Sequence, residues 1–126
     1  VCKATPGADL DLPADLSAAR AARAFLRDRV CRHHGGDLLD RALLAVSELT
    51  VNAVEHGAPP VHAHVDCRDG VLHLEVSDGS PALPQHTSPG TAAESGRGVG
   101  LVDAVCDEWG VRREAPGKTV WCELTS

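Results

Sequence analysis

Aromatic side chains are nearly absent from this sequence: its 126 residues include one Phe, two Trp and no Tyr. The interior must therefore be filled by Val, Leu and Ala, and a hydrophobic share of 43% is enough for one core at this length. A basic excess is missing too. Against 12 Lys and Arg stand 18 Asp and Glu, a formal net charge of -6, which argues against a nucleic-acid binder and its basic face. No apolar run approaches the ~20 residues of a membrane span, and Val1 to Leu12 lacks the apolar stretch of a signal peptide. The chain reads as cytosolic and as one domain over residues 1–126. No C-x-x-C occurs among its five cysteines, Cys2, Cys31, Cys67, Cys106 and Cys122. An odd count at wide spacing favours free thiols in a reducing compartment. Cys67, Cys106 and Cys122 sit in apolar-patterned segments and read as small core residues. Neither Cys31 with His33 and His34 nor His62 with His64 has the ligand spacing of a known zinc site.

What is present is periodicity. Leu10-Asp11-Leu12-Pro13 alternates, and Pro13 ends it as a short edge strand. Asp15 or Ser17 caps a first helix running to about His34, with Leu16, Ala19, Ala22, Phe25, Leu26 and Val30 near helical period. Arg20, Arg23, Arg27 and Arg29 are mixed around it, as a solvated face or as a partner-binding surface. Gly35-Gly36 stops this helix, Asp37 caps the next, and Gly57 with Pro59-Pro60 ends that one. Val61, Ala63, Val65 and Cys67 alternate with His62, His64 and Asp66, a half-buried strand with its histidines turned to solvent. Asp69-Gly70 is a hairpin turn. The strand after it puts Leu72, Leu74, Val76 and Asp78 on one face, so Asp78 points to the covered side of the sheet. A carboxylate there needs a partner. The amino group of an adenine is one; a backbone N–H of the following turn is another.

From Gly79 to Ser95 the chain is rich in Pro, Ser, Thr and Gly and exceeds an ordinary connection, as a functional lid or a linker would. Gly98 to Glu108 reads as a helix, and the glycines before it let backbone N–H groups approach an anion at its N-terminus. Arg97 either reaches a phosphate or is simply exposed. Trp109 to Glu114 and Lys118 to Thr125 form a closing antiparallel pair around Ala115-Pro116-Gly117. Hairpin-connected strands interleaved with helices imply an α+β two-layer sandwich.

The chemistry concentrates in Glu48-Leu49-Thr50-Val51-Asn52-Ala53-Val54-Glu55-His56. At about 100° per residue, Glu48, Asn52 and His56 stack along one stripe of a helix, while Val46, Leu49 and Ala53 fall on another. A Glu can act as a base or hold a water, and an Asn oxygen can bind a hard cation such as Mg²⁺. An exposed polar helix face has the same pattern.

In order, this segment, Asp78 ending a strand, Gly96-Arg97-Gly98-Val99-Gly100-Leu101, Trp109-Gly110 and Gly117-Lys118-Thr119-Val120-Trp121 resemble the GHKL ATPase superfamily. Within it, Ser47-Glu48-Leu49, Asn52-Ala53 and His56 are most similar to the small ATP-binding domains of bacterial anti-sigma-factor serine kinases, over roughly Leu10 to Leu124. The resemblance implies the Bergerat ATP-binding fold, a mixed sheet covered on one face by helices, with ATP between helices and lid. It implies a serine kinase that transfers phosphate from Mg-ATP to a protein antagonist and binds a sigma factor. The alternative it allows is an ATP-binding regulatory domain with little kinase activity, cut from a larger phosphatase-containing regulator. A histidine-kinase catalytic domain fits less well, because no helical dimerisation segment with a phospho-acceptor His precedes the motifs. Carried over by motif, Glu48 is catalytic, Asn52 holds Mg²⁺ and His56 orients Glu48 or the phosphates. Asp78 binds the adenine amino group with the Thr119 hydroxyl nearby, and Gly96, Arg97, Gly98, Val99, Gly100 and Leu101 line the phosphates. Neither nucleic acid nor membrane is implied as a partner, and a homodimer is allowed. The family's D-x-G-x-G is incomplete, since Asp78 is followed by Gly79-Ser80-Pro81. Thr119 also alternates with Trp121; if Val120, Cys122 and Leu124 face the core, Thr119 points away from the nucleotide.

Overall fold

The computed structural model describes residues 5–30, 37–81 and 97–125. In chain order they form strand β1 (Thr5–Leu12), helices α1 (Ala18–Arg29) and α2 (Asp37–His56), strands β2 (Val61–Arg68) and β3 (Val71–Asp78), helix α3 (Arg97–Val105), and strands β4 (Glu108–Glu114) and β5 (Gly117–Thr125). The strands make one five-stranded sheet in the order β1-β2-β3-β5-β4. Alternation creates its buried face: Val61, Ala63, Val65 and Cys67, Leu72, Leu74 and Val76, and Val120, Cys122 and Leu124 are each no more than 5% exposed. Against it α2 packs Leu38, Ala42, Ala45, Val46, Leu49 and Ala53, and α1 packs Ala18, Ala22 and Leu26. This is the α+β two-layer sandwich read from the sequence. The largest fully buried side chains are Leu and Val rather than rings, as the scarcity of aromatics requires.

One expectation is corrected. The sheet is antiparallel at every pairing, not mixed. Two consecutive helices between β1 and β2 return the chain in the opposite direction, and β2–β3 and β4–β5 are hairpins. The Asp69-Gly70 turn has φ of 53° and 81° at its two residues, the left-handed pair that a tight hairpin needs.

Boundaries differ where tertiary contacts decide them. β1 is longer than its Leu10–Pro13 signal because irregular pairing between Thr5 and Ala8 admits Pro6 and Gly7. A Cβ at Gly7 would lie 2.6 Å from the His64 ring. α1 starts beside Asp15, whose carboxylate accepts from Ser17 N at 2.8 Å. It ends at Arg29, where Val30 turns extended with ψ 130°; the remainder of the helix expected to His34 falls outside the described residues. α3 stops at Val105 rather than Glu108 because Asp107 N donates to Glu123 O at 2.9 Å and leads the chain into the sheet. Arg41 fastens this end: Nη1 donates to Val105 O (3.1 Å), Nη2 to Thr125 O (2.6 Å) and Nε to Asp37 (3.1 Å). Cys67, Cys106 and Cys122 form no disulfide; Cys67 and Cys122 are buried and Cys106 is half-buried. Among the described residues, no helix is long and apolar enough to cross a membrane.

Candidate functional site

Glu48 and Asn52 are both half-buried on α2. Arg41 lies on the same stripe, two turns before Glu48, and its bond to Val105 shows that this side of α2 faces α3. Among the described residues neither Glu48 nor Asn52 makes a side-chain hydrogen bond or ion pair, so both polar groups are free for a ligand. His56 ends the stripe in an exposed position, with Nε2 3.9 Å from Glu55 Oε1. It turns to its chain neighbour, not to Glu48.

Asp78 lies at the C-terminal end of α2. Gly57 follows α2 directly, and a Cβ there would come within 2.6 Å of Asp78 Oδ1. At 1.5 Å of rise per residue, Asn52 is about 7.5 Å and Glu48 about 13.5 Å back along the helix from that contact. The site is thus elongated, with Asp78 at one end and the Glu48 carboxylate at the other. Asp78 faces the covered side as its alternation requires, and it is not free: Oδ2 lies 3.0 Å from Lys118 Nζ, and the two side chains are only 2% and 5% exposed. Oδ1 accepts from Ser80 N at 2.8 Å and from Lys118 Nζ at 3.2 Å. Of the two sequence readings of Asp78, the bond from Ser80 N is the turn cap. The carboxylate caps the turn after β3 and also stands beside the C-terminal end of α2.

Lys118 is the residue that motif reading passed over. Its signal was parity: Lys118 shares a face with Val120, Cys122 and Leu124, and β3–β5 pairing puts it directly opposite Asp78. Thr119 pairs with Ser77 and lies on the other face of the sheet. Its Oγ1 donates to Glu114 Oε1 at 2.5 Å and bonds Ser77 Oγ at 2.8 Å. It is not brought to Asp78.

Of the glycine-rich segment, Gly96 falls outside the described residues, and Arg97, Gly98 and Val99 are described as the backbone of the first turn of α3. Gly100 is exposed, and a Cβ there would meet nothing within 4 Å; Leu101 is half-buried. α3 packs against α2 with its C-terminal end held at Arg41, which turns its first-turn N–H groups toward the Asn52 end of the stripe. The lid expected over 79–95 is described only as far as Pro81.

The opposite face of the sheet carries a separate polar network. His62 bonds Asp11 (2.9 Å) and Asp9 (2.8 Å), and His64 bonds Asp9 and Asp66, both at 3.0 Å. His73 bonds Glu123 (3.0 Å) and Glu75 (2.6 Å). The His62 pKa is raised by its bonds to Asp11 and Asp9. Burial works to lower that of His64, but Asp9 and Asp66 outweigh it and the value rises. Asp9 is held below the usual carboxylate range by His62 and His64. Burial works to raise Glu75, and the bonds from His73 and Arg112 bring it below its ordinary value. A cavity of about 400 Å³ on this face is lined by Asp66, Arg68, Asp69, Val71, His73 and Glu123. None of these is a motif residue, and the α2 stripe lies across the sheet from them.

No curated protein matches the chain. Among solved structures, the RsbU and RsbW domains of Rv1364c from Mycobacterium tuberculosis are similar, with a TM-score of 0.72 and 25% identity over 96% of this chain and 32% of that one. The chain therefore spans about a third of that structure's length. The model of the histidine kinase-like ATPase domain matches residues 12–124. With that match over nearly its whole length, the chain belongs to the histidine kinase-like ATPase domains, a family whose ligand is ATP.

Proposed function

We propose that the chain is an ATP-binding regulatory protein that works as a serine kinase of the anti-sigma-factor type. It moves the γ-phosphoryl group of Mg-ATP to a serine of a protein antagonist and binds a sigma factor in the cytoplasm. The observation that carries this reading is the α2 stripe: Glu48 and Asn52, half-buried and uncommitted among the described residues, on the side facing α3, with Asp78 at the C-terminal end of the same helix.

Asn52 offers one neutral oxygen, and the described residues hold no cluster of three or more metal-ligating side chains. That donor set fits Mg²⁺, which keeps several waters and is bound through one or two protein groups plus substrate phosphates. When bound, the ion neutralises charge between the phosphates. Asp78 accepts from the adenine amino group. The first-turn N–H groups of α3 hold phosphate oxygens, aided by the helix dipole. Glu48 takes the proton of the serine hydroxyl as its oxygen bonds to phosphorus and ADP leaves.

Glu48→Gln keeps size and hydrogen bonding but removes basicity, and a general base contributes about 10²–10⁴-fold to rate. The variant should bind Mg-ATP as the wild type does and lose most transfer to a serine of the cognate antagonist, read by mass spectrometry of the antagonist. Tight ATP binding with no transfer by the wild type would leave the second reading, an ATP-binding module of a larger regulator. The similar structure favours that reading in one respect, since its RsbW domain shares a chain with an RsbU domain.

A further inference from the structure

The buried pair at the base end of the site is more than a structural clip. The Asp78 carboxylate has about four acceptor positions. Ser80 N fills one, and Lys118 Nζ reaches both oxygens, at 3.2 and 3.0 Å. Gly57 walls one side of the carboxylate, so close that a Cβ there would come within 2.6 Å of Oδ1. With the two side chains 2% and 5% exposed, no base can touch this carboxylate while the ammonium stays in place.

We propose that Lys118 sets nucleotide affinity as an internal competitor at the base end of the site: its ammonium occupies Asp78 in the free chain and is displaced from one carboxylate oxygen when the base arrives. This rests on the reading that Asp78 receives the adenine amino group. A base amino N–H and an ammonium N–H are the same kind of donor to the same oxygen, so one replaces the other. The displaced ammonium is not stranded, because Lys118 Nζ already donates to Ser80 O at 3.3 Å. It keeps that carbonyl and the second carboxylate oxygen. Breaking a buried pair on one side is strongly unfavourable, so the exchange subtracts from the affinity that an open Asp78 would give. It also ties the base to the backbone leaving β3, since Ser80 is held at its N–H by Asp78 and at its carbonyl by Lys118.

The test is Lys118→Thr in the full chain. The shorter, β-branched side chain suits a strand, and the space it vacates is polar enough to hold a water. Calorimetry should show ATP bound at least tenfold tighter than by the wild type. Adenosine, which carries no phosphate, should gain by the same factor. Lys118→Gln keeps length and an N–H donor without charge, and it should fall between the two; it also decides the matter if Lys118→Thr does not fold. A folded variant with unchanged or weaker ATP affinity overturns the proposal, as does a gain for ATP that adenosine does not share. Asp78→Asn separates the levels. If it abolishes ATP binding while both Lys118 variants match the wild type, the nucleotide site stands and only the role of Lys118 falls. A wild type that binds no ATP removes both.

Discussion

Replacing Gly57 by Ala demands space that is already filled. The new Cβ would sit 2.5 Å from Ala53 O and 2.6 Å from Asp78 Oδ1. Ordinary contact begins about 0.8 Å farther out, and neither neighbour can retreat. Ala53 O is locked inside α2 as the acceptor of Gly57 N at 3.0 Å, and Asp78 is held by Ser80 N and Lys118. Overpacking of this kind costs about 1–3 kcal/mol. Ala recovers about 0.4–1 kcal/mol by restricting the unfolded chain, which leaves a net loss of about 1–2 kcal/mol. At about 2.1 cal/mol/K per residue, a chain of 126 residues loses about 4 °C of Tm for each kcal/mol, so Gly57→Ala should melt about 4–8 °C lower. The matched control is Gly100→Ala in α3, where the added methyl meets open space. It should melt at or up to about 4 °C above the wild type by the same entropy argument. Thermal melts by circular dichroism read both. If Gly57→Ala melts with the wild type, the close packing of Asp78 against the end of α2 is wrong, and so is the line drawn from Glu48 to that carboxylate.

Two further outcomes follow from other parts of the molecule. Asn52→Ala should weaken Mg-ATP binding by far more than metal-free ATP binding; equal losses in calorimetry would remove Asn52 from the metal role. The raised pKa values of His62 and His64 contribute stability that is fully present below their ordinary value of 6.5 and fades as pH rises through the folded values. The lowered Asp9 contributes above 3.8 and is lost as pH falls through its folded value. The groups are part-exposed, so the effect is small. Tm should still decline gently from pH 6 to pH 8, and Asp9→Asn should flatten that decline, because Asp9 bonds both rings. An unchanged slope in Asp9→Asn would mean that the β1–β2 network does not sense pH.

Much of the fold was legible because burial in a two-layer sandwich writes itself as period. β2 and β3 alternate without a break, and α2 carries its apolar stripe beside Glu48 and Asn52, so both the strands and the face of Asp78 could be read directly. What escaped was set by contacts across the sheet. β1 extends back to Thr5 through Pro6 and Gly7, residues that weaken a strand signal, because pairing with β2 and the fit of Gly7 over His64 decide it. α3 stops early for a bond that Glu123 accepts from Asp107, 16 positions apart in sequence. The sheet is antiparallel because helices α1 and α2 act as a pair, which periodicity cannot report. At the site, the Asp78–Lys118 pair joins residues 40 positions apart, and a lysine on an apolar face reads as surface until its partner is known. Thr119 was proposed for the site by motif, while its own alternation with Trp121 already pointed it to the other face.

The scarcity of rings has an optical consequence. With no Tyr and two Trp, ultraviolet emission from the folded chain arises almost wholly from two indoles in different settings. Trp109 donates Nε1–H to Asp103 of α3 at 2.8 Å, so its emission follows the attachment of that helix to the sheet. Trp121 lies on the opposite face, stacked on His73 at 6.0 Å and covering Gly110, where a Cβ would come within 2.9 Å of the indole. Changing either tryptophan singly leaves the other as a lone built-in lamp. The chain thus carries one reporter for helix α3 beside the candidate site and one for the face turned away from it, with no dye attached.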